Sequence, residues 1–291
     1  MSSSPPLSPL RSPLEPLPAT RPLAWLWPWR PGYRVGQTVL HWTNATAPVV
    51  FGRWWLVATI AIGALPVLIG YAAGSALHQP VTAVLLAMLF VACVARDRLG
   101  RAIGVVVTVM GTHSIVVIAL SAHDPATSAV LPGSEAYWGR TWQWVSTGVD
   151  EEYRWAEWLP AHALLLVGVP IGAYTSFGAI PFAYGLEQVD LMNYYVGRLV
   201  AVSDSPVVAV AFGWHPWSII RGLAYTVLVF EVASWSLGRL SGRSLSTYRR
   251  RVSRWVVGIG LAVLDGAVKF ALAPVVREQL FANLQAGVFG P

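Results

Sequence analysis

Residues 102–121 read AIGVVVTVMGTHSIVVIALS, twenty residues without an Asp, Glu, Lys or Arg. Arg101 precedes them, and His123 and Asp124 follow closely. As a helix the stretch rises about 30 Å, the thickness of a bilayer's hydrocarbon core. Its one titratable residue is His113. Such a segment is a transmembrane helix, and similar runs lie on either side of it.

Upstream, residues 54–74 open on two tryptophans, contain Pro66, and carry Gly70-x-x-x-Gly74 as a close-packing face. Residues 79–95 form a second, shorter run, which holds the single cysteine, Cys93. Downstream, residues 159–184 are apolar but interrupted by Pro170 and Pro181, and residues 217–237 and 255–276 are further spans. The whole chain fits this pattern. Of its 291 residues, 55% are hydrophobic and only 12% charged, against about 25% charged in soluble domains. Mean hydropathy is +0.54. This excludes an ordinary cytosolic enzyme, a disordered protein and a coiled coil. The expected fold is an all-α, polytopic integral membrane helix bundle of six to seven spans, with one broken or re-entrant region.

The rest of the chain divides by composition. Residues 1–31 carry nine prolines and many serines, and read as a disordered tail rather than a signal peptide. Trp25, Trp27 and Trp29 suit a headgroup region. Residues 32–53 read as a polar-aromatic approach segment. Residues 54–291 form the transmembrane domain. Within it, residues 122–158 hold six acids and a stripe of tryptophans, the pattern of amphipathic helices on the extracytoplasmic membrane surface.

Charge sets the orientation. Net charge is +6, carried by 19 arginines and one lysine, Lys269. Arginines 11, 21, 30, 34 and 53 precede the first span, three occupy residues 96–101, and six (239, 243, 249, 250, 251 and 254) occupy residues 239–254. Positive loops stay inside. The N-terminus is therefore expected in the cytoplasm of a bacterial cell, with the chain in the inner membrane. Keeping residues 239–254 inside requires residues 159–216 to cross an even number of times, either as a re-entrant pair or with 191–214 as an extra polar span. Both options place the C-terminus outside. The expected partners are the lipid bilayer, anionic lipid beside Arg239 to Arg254, and a membrane-protein partner or second copy. No nucleic acid is expected, because the basic residues sit in topogenic loops.

A few side chains could carry chemistry. Asp265 and Lys269 lie four apart on the last span, where they can pair. Gly258, Ala262 and Gly266 form a smooth ridge on the same helix. Glu231 lies deep in the preceding span, and Arg221 nearer its end. Glu231 has no partner on its own helix, so Lys269 or a buried tyrosine is expected to serve. Arg221, Glu231, Asp265 and Lys269 form the candidate polar interior, because buried charges in a membrane are costly and usually functional.

Six histidines (41, 78, 113, 123, 162 and 215) are scattered, with no pair three or four apart. The expectation is no metal and no cofactor. His113 and His162 differ in depth, which argues against a haem between them. Glu151-Glu152-Tyr153-Arg154 resembles the acidic motif of intramembrane CAAX-type proteases. The arginine comes too early, however, and Phe212-Gly213-Trp214-His215 is one residue short of that family's Phe-to-His spacing. No serine-protease, phosphate-loop or dinucleotide signature is present.

Two functional classes follow. One is a transporter-like or membrane assembly protein with a polar interior. The other is a membrane-embedded enzyme acting on a lipid or lipid-linked substrate, with Glu151, Glu152 and Glu157 beside His162 or His215 as acid and base. The mid-membrane charges are the clearer set and favour the first, and so a protein that is not an enzyme.

Overall fold

The structure, a computed structural model, describes residues 31–149 and 154–284. Their regular structure is helical: α1 (Pro31–Phe51), α2 (Trp55–Ala72), α3 (His78–Val94), α4 (Leu99–His123), α5 (Ser134–Thr147), α6 (Trp155–Ser176), α7 (Ala179–Val202), α8 (Pro206–Gly213), α9 (Pro216–Ser241) and α10 (Tyr248–Ala282). A 3-10 turn, Pro125–Val130, precedes α5. Among the described residues no named strand occurs, only an isolated bridge between Ser203 and Leu284. Helices α2, α4, α6, α9 and α10 are long and apolar enough to cross a bilayer. α3 is apolar but only 17 residues long. The chain is an all-α membrane helix bundle, as its apolar periodicity predicts.

Burial sorts these helices into a centre and a lipid face. Every residue from Thr226 to Ser234 of α9 is buried, as is every residue from Leu89 to Val94 of α3. Phe90 packs edge-on against Phe182 of α7 and Phe230 of α9, at 4.9 and 5.8 Å between centroids. The outer helices instead expose large apolar side chains: Ile69, Ile115, Leu164, Ile171, Val256 and Val263 are each 60% exposed or more. In water so much apolar exterior would drive aggregation. In lipid it costs nothing, and helices associate there through close packing and polar contacts.

The bundle has an arginine-rich end and an acidic end. The arginine-rich end gathers the α3–α4 and α9–α10 connections, joined by Asp97 to Arg250 and Arg254, both at 2.6 Å. α1 also lies there. Residues 32–51 of the approach segment are helical and packed on the bundle: Leu40, Thr43 and Val50 are buried, and Gly36 lies against the backbone at Leu240 and Ser241.

Residues 159–216 resolve differently from the sequence expectation. The apolar run is broken, but at neither proline. It passes from α6 to α7 through a tight turn at Phe177 and Gly178, both at positive φ (54° and 109°). Pro170 lies inside α6 without ending it. Pro181 is the third residue of α7, where a missing N–H costs little because no helical carbonyl awaits it. Ser176 Oγ accepts the Ile180 N–H at 2.9 Å and closes the turn.

The acidic end is more tightly packed than a surface-lying amphipathic segment would be. α5 sinks Trp144 and Val145 into a cluster with Tyr195, Leu199, Trp217 and Leu280. Arg277 of α10 donates to the carbonyls of Trp144, Val145 and Ser146, so it satisfies acceptors that a helix C-terminus otherwise leaves open. Asn283 clasps Ser205 through both its amide atoms, at 2.9 and 3.0 Å. Of the expected tail (residues 1–31), Pro31 opens α1; residues 1–30, with the three tryptophans, and the Glu151-Glu152-Tyr153 part of the acidic motif lie outside the described residues.

Asp124, just beyond α4, accepts the Tyr71 hydroxyl at 2.6 Å and the Ala126 N–H at 2.9 Å. These two bonds, the tyrosine's first, hold its carboxyl below the usual carboxylate range. A folded pKa below the unfolded one gives stability that is present above the unfolded value and fades as pH falls through the folded one. Thermal unfolding in detergent should therefore show a smaller loss of stability on acidification in Asp124→Asn than in the parent. An identical acid profile in the two would show that the carboxylate does not contribute.

Candidate functional site

The most concentrated polar chemistry inside the bundle is at Asp190, midway along α7. Its side chain is 1% exposed, and it meets His78 at the start of α3 and His113 in α4, which are 3% and 0% exposed. His78 Nε2 lies 3.0 Å from Asp190 Oδ2 and His113 Nε2 lies 2.5 Å from Oδ1. Gln79 Nε2 donates to Oδ2 at 2.8 Å. The two imidazoles lie 6.0 Å apart, 28° from parallel.

Three glycines make this convergence possible. A Cβ on Gly63 would lie 2.5 Å from the Val109 carbonyl oxygen, so α2 and α4 touch backbone to backbone beside His113. A Cβ on Gly197 would lie 2.8 Å from the Ile118 carbonyl oxygen, which binds α7 to α4. Along that contact α4 presents His113, Val117 and Ser121, and α7 presents Asp190, Asn193, Tyr194 and Gly197, all buried. Both sets follow the three-to-four-residue step of one helix face. Asn193 continues the polar seam: it donates to Ser114 Oγ at 3.1 Å and accepts from Trp214 Nε1 at 3.0 Å.

Gly70 of α2 serves His78 itself. It was expected to pack a helix through Gly70-x-x-x-Gly74, but Gly74 leaves the helix at positive φ, and Gly70 alone makes the contact. A methyl there would lie 2.9 Å from both Ser75 O and His78 Cβ. Gly70→Ala should lower stability by about 1–3 kcal/mol, the usual cost of overpacking, read as a drop in unfolding temperature in detergent. An unchanged temperature would mean that loop 73–77 yields freely.

Hydrogen bonding constrains the protons. A carboxylate and a carbonyl only accept. His78 faces the first with Nε2 and the Ser75 carbonyl with Nδ1, the latter at 3.4 Å. Both contacts are made only if His78 carries two ring protons. His113 donates through Nε2, and its buried Nδ1 has no partner among the described residues. One ligand atom from each of His78, His113 and Asp190 lies within 4.8 Å of the others, a spacing at which a metal ion can be held.

None of these three belongs to the polar interior read from the sequence, and that set is itself rearranged. Asp265 is gripped by Arg221 of α9, Nε at 2.9 Å and Nη2 at 3.3 Å, so its cross-helix partner is an arginine. Lys269 is fully buried one turn away. Glu231 pairs with neither Lys269 nor a tyrosine. Arg251 reaches Oε1 at 2.6 Å and Arg254 reaches Oε2 at 3.3 Å, and Arg254 also stacks over Phe230. Half of the six arginines at residues 239–254 thus neutralise Asp97 and Glu231, and of the other three Arg239 and Arg249 are exposed. Gly258 and Gly266 behave as the ridge predicts, against Leu228 and Trp158.

Of the acid–base candidates, Glu151 and Glu152 lie outside the described residues. His215 is stacked on Trp217 at 4.5 Å, with Trp144 edge-on to it. His162 stacks on Trp158 at 4.2 Å and shares a cavity of about 240 Å³ with Arg221, Tyr225 and Asp265, between α6, α9 and α10.

His78 and Asp190 were invisible as a site because spacing rules search one helix at a time. The two histidines are 35 residues apart on neighbouring helices, and Asp190 is 77 residues further on. The signal that was present is the set of glycines on the same faces. The chain matches no family model, no curated protein and no solved structure.

Proposed function

We propose that the protein is a transporter-like, multi-pass protein of the bacterial inner membrane that takes a small cation into its polar interior at His78, His113 and Asp190. One observation carries this reading: a carboxylate and two imidazoles from three helices converge, fully buried, inside an apolar bundle. Buried polar groups of this kind are expensive in a membrane, and a packed apolar core would hold the helices as well. The site also lies close to one surface. His78 directly follows the α2–α3 loop, where Leu77 is 68% exposed, so an ion entering from the acidic end has a short path.

The helices support seven crossings: α2, α3, α4, α6, α7, α9 and α10. α8, with eight residues, spans only about 12 Å. The α6–α7 pair supplies the even number of crossings that the arginine pattern requires. With the arginine-rich end in the cytoplasm, the C-terminus is outside.

Charge movement tests the reading. The purified full chain is reconstituted in liposomes on a solid-supported membrane and challenged in turn with H⁺, Na⁺, K⁺, Mg²⁺ and Zn²⁺. At least one cation should give a transient current in the parent, reduced at least tenfold in Asp190→Asn. No current with any of them, or equal currents in the two proteins, would overturn it.

A second reading rests on the cavity at His162. Arg221 and Asp265 there offer polar anchors beneath an apolar opening, as a lipid-active enzyme of the membrane would need. It predicts that His162→Ala, and not Asp190→Asn, abolishes function in cells.

A further inference from the structure

We infer that His78, His113 and Asp190 form a binding site for a first-row divalent metal ion, Zn²⁺ above all, held by two imidazole nitrogens and one carboxylate oxygen. The inference rests on the cation reading above and narrows it from any small cation to one ligand chemistry. Neutral imidazole with carboxylate is a common donor set for zinc, usually with a fourth position left for water. The donors come from three helices, and all three residues are at most 3% exposed.

The separations are those of a site that closes on its ion. A tetrahedral ion with bonds of about 2.0–2.1 Å spaces its ligands about 3.3 Å apart. The two nitrogens now sit 3.0 and 2.5 Å from the carboxylate oxygens, at hydrogen-bond distance. They meet different oxygens, and one ligand atom from each residue lies within 4.8 Å of the others, so an ion draws the wider pair inward and replaces the hydrogen on each Nε2. The surroundings suit that exchange. With the ion on Nε2, His78 keeps one proton on Nδ1 for the Ser75 carbonyl, the arrangement that metal-bound histidines usually show. Proton and charge balance: a proton that the ion replaces on Nε2 leaves to the medium or passes to Nδ1 of the same ring, and the ion adds two positive charges to a site that holds one carboxylate. His113 stays neutral by carrying its proton on Nδ1.

Gln79 supports the site: its amide donates to Asp190 Oδ2 at 2.8 Å and holds the carboxylate in place. Thr82, one turn along α3 from His78, is fully buried, and its Oγ1 has no partner among the described residues. It provides a polar atom for a metal-bound water.

The test uses the purified full chain in detergent, stripped with a chelator, and measures Zn²⁺ content by mass spectrometry after gel filtration. Co²⁺ is the optical probe. The parent should retain one Zn²⁺ per chain and develop the visible absorption of four-coordinate Co²⁺. His113→Gln and Asp190→Asn should lose both signals. Gln79→Ala should weaken binding by about 10–100-fold, as loss of a supporting group does. His41→Ala and His123→Ala should bind as the parent does. If the triad variants fail to fold, the parent decides alone: less than a tenth of an equivalent of Zn²⁺, or Co²⁺ absorption of a six-coordinate ion, overturns the site. Retention of Zn²⁺ by folded triad variants also overturns it. Currents with monovalent ions in a protein that binds no zinc would sink this inference and leave the cation reading standing. Stoichiometric zinc without any current would do the reverse.

Discussion

Replacing Arg254 with methionine is expected to destabilise the bundle by about 3 kcal/mol, the lower part of the range for breaking a buried ion pair. Arg254 joins two carboxylates from different parts of the bundle, Asp97 of the α3–α4 connection at 2.6 Å and Glu231 of α9 at 3.3 Å, and its own side chain is only 9% exposed. Methionine fills the space over Phe230 but supplies no charge. Glu231 would then depend on Arg251 alone, while 1% exposed. The loss is held near the lower limit because Arg250 and Arg251 keep one contact to each acid. Thermal unfolding in detergent should show a marked fall, and adding Glu231→Gln should restore part of it, since the acid left behind causes much of the cost. If Arg254→Met unfolds at the parental temperature, the α3–α4 and α9–α10 connections are held by other contacts.

The second large effect is expected at Gly197. Its Cβ would lie 2.6 Å from Ser121 Cβ and 2.8 Å from the Ile118 carbonyl oxygen. The carbonyl is backbone and cannot swing aside, so Gly197→Leu must force α7 away from α4. Overpacking costs about 1–3 kcal/mol where side chains can shift, and this site should exceed that. Asp190 lies two turns back on the same face, so the displacement also draws it from His113. The variant should show a lower folded yield, an unfolding temperature several degrees below that of Gly185→Leu, where a side chain meets open space, and at least tenfold weaker retention of Zn²⁺. Equal behaviour of the two variants would mean that α4 and α7 are not fixed to one another there.

These two residues show how unevenly sequence and structure inform each other. The helices were legible. Residues 102–121 lie wholly within α4, the runs at 54–74, 79–95 and 217–237 correspond to α2, α3 and α9 with small shifts at the ends, and 255–276 is the middle of the longer α10. Apolar length sets them, and length is a property of consecutive residues. The α6–α7 turn was less legible, because Pro170 and Pro181 suggested breaks where the chain tolerates proline. The break falls instead between them, at Phe177 and Gly178.

The site was the least legible. Glu231 was recognised as needing a partner. Lys269 or a buried tyrosine is what the spans offer, whereas the partners, Arg251 and Arg254, lie 20 and 23 residues on, in the first two turns of the next helix. Asp265 met Arg221 across a helix interface. His113 stood alone in the sequence and is bonded in the structure to an aspartate 77 residues away.

The sequence by itself determined that this chain is a helical membrane protein, roughly where its helices lie, and which end of the bundle collects arginine. Solvent preference and helical rise act on neighbouring residues, and they need no knowledge of the fold. Only the tertiary structure decided which buried groups meet. That depends on helix rotation and on close approach at Gly63, Gly70 and Gly197, where a missing side chain brings two backbones together and His78, His113 and Asp190 into one site.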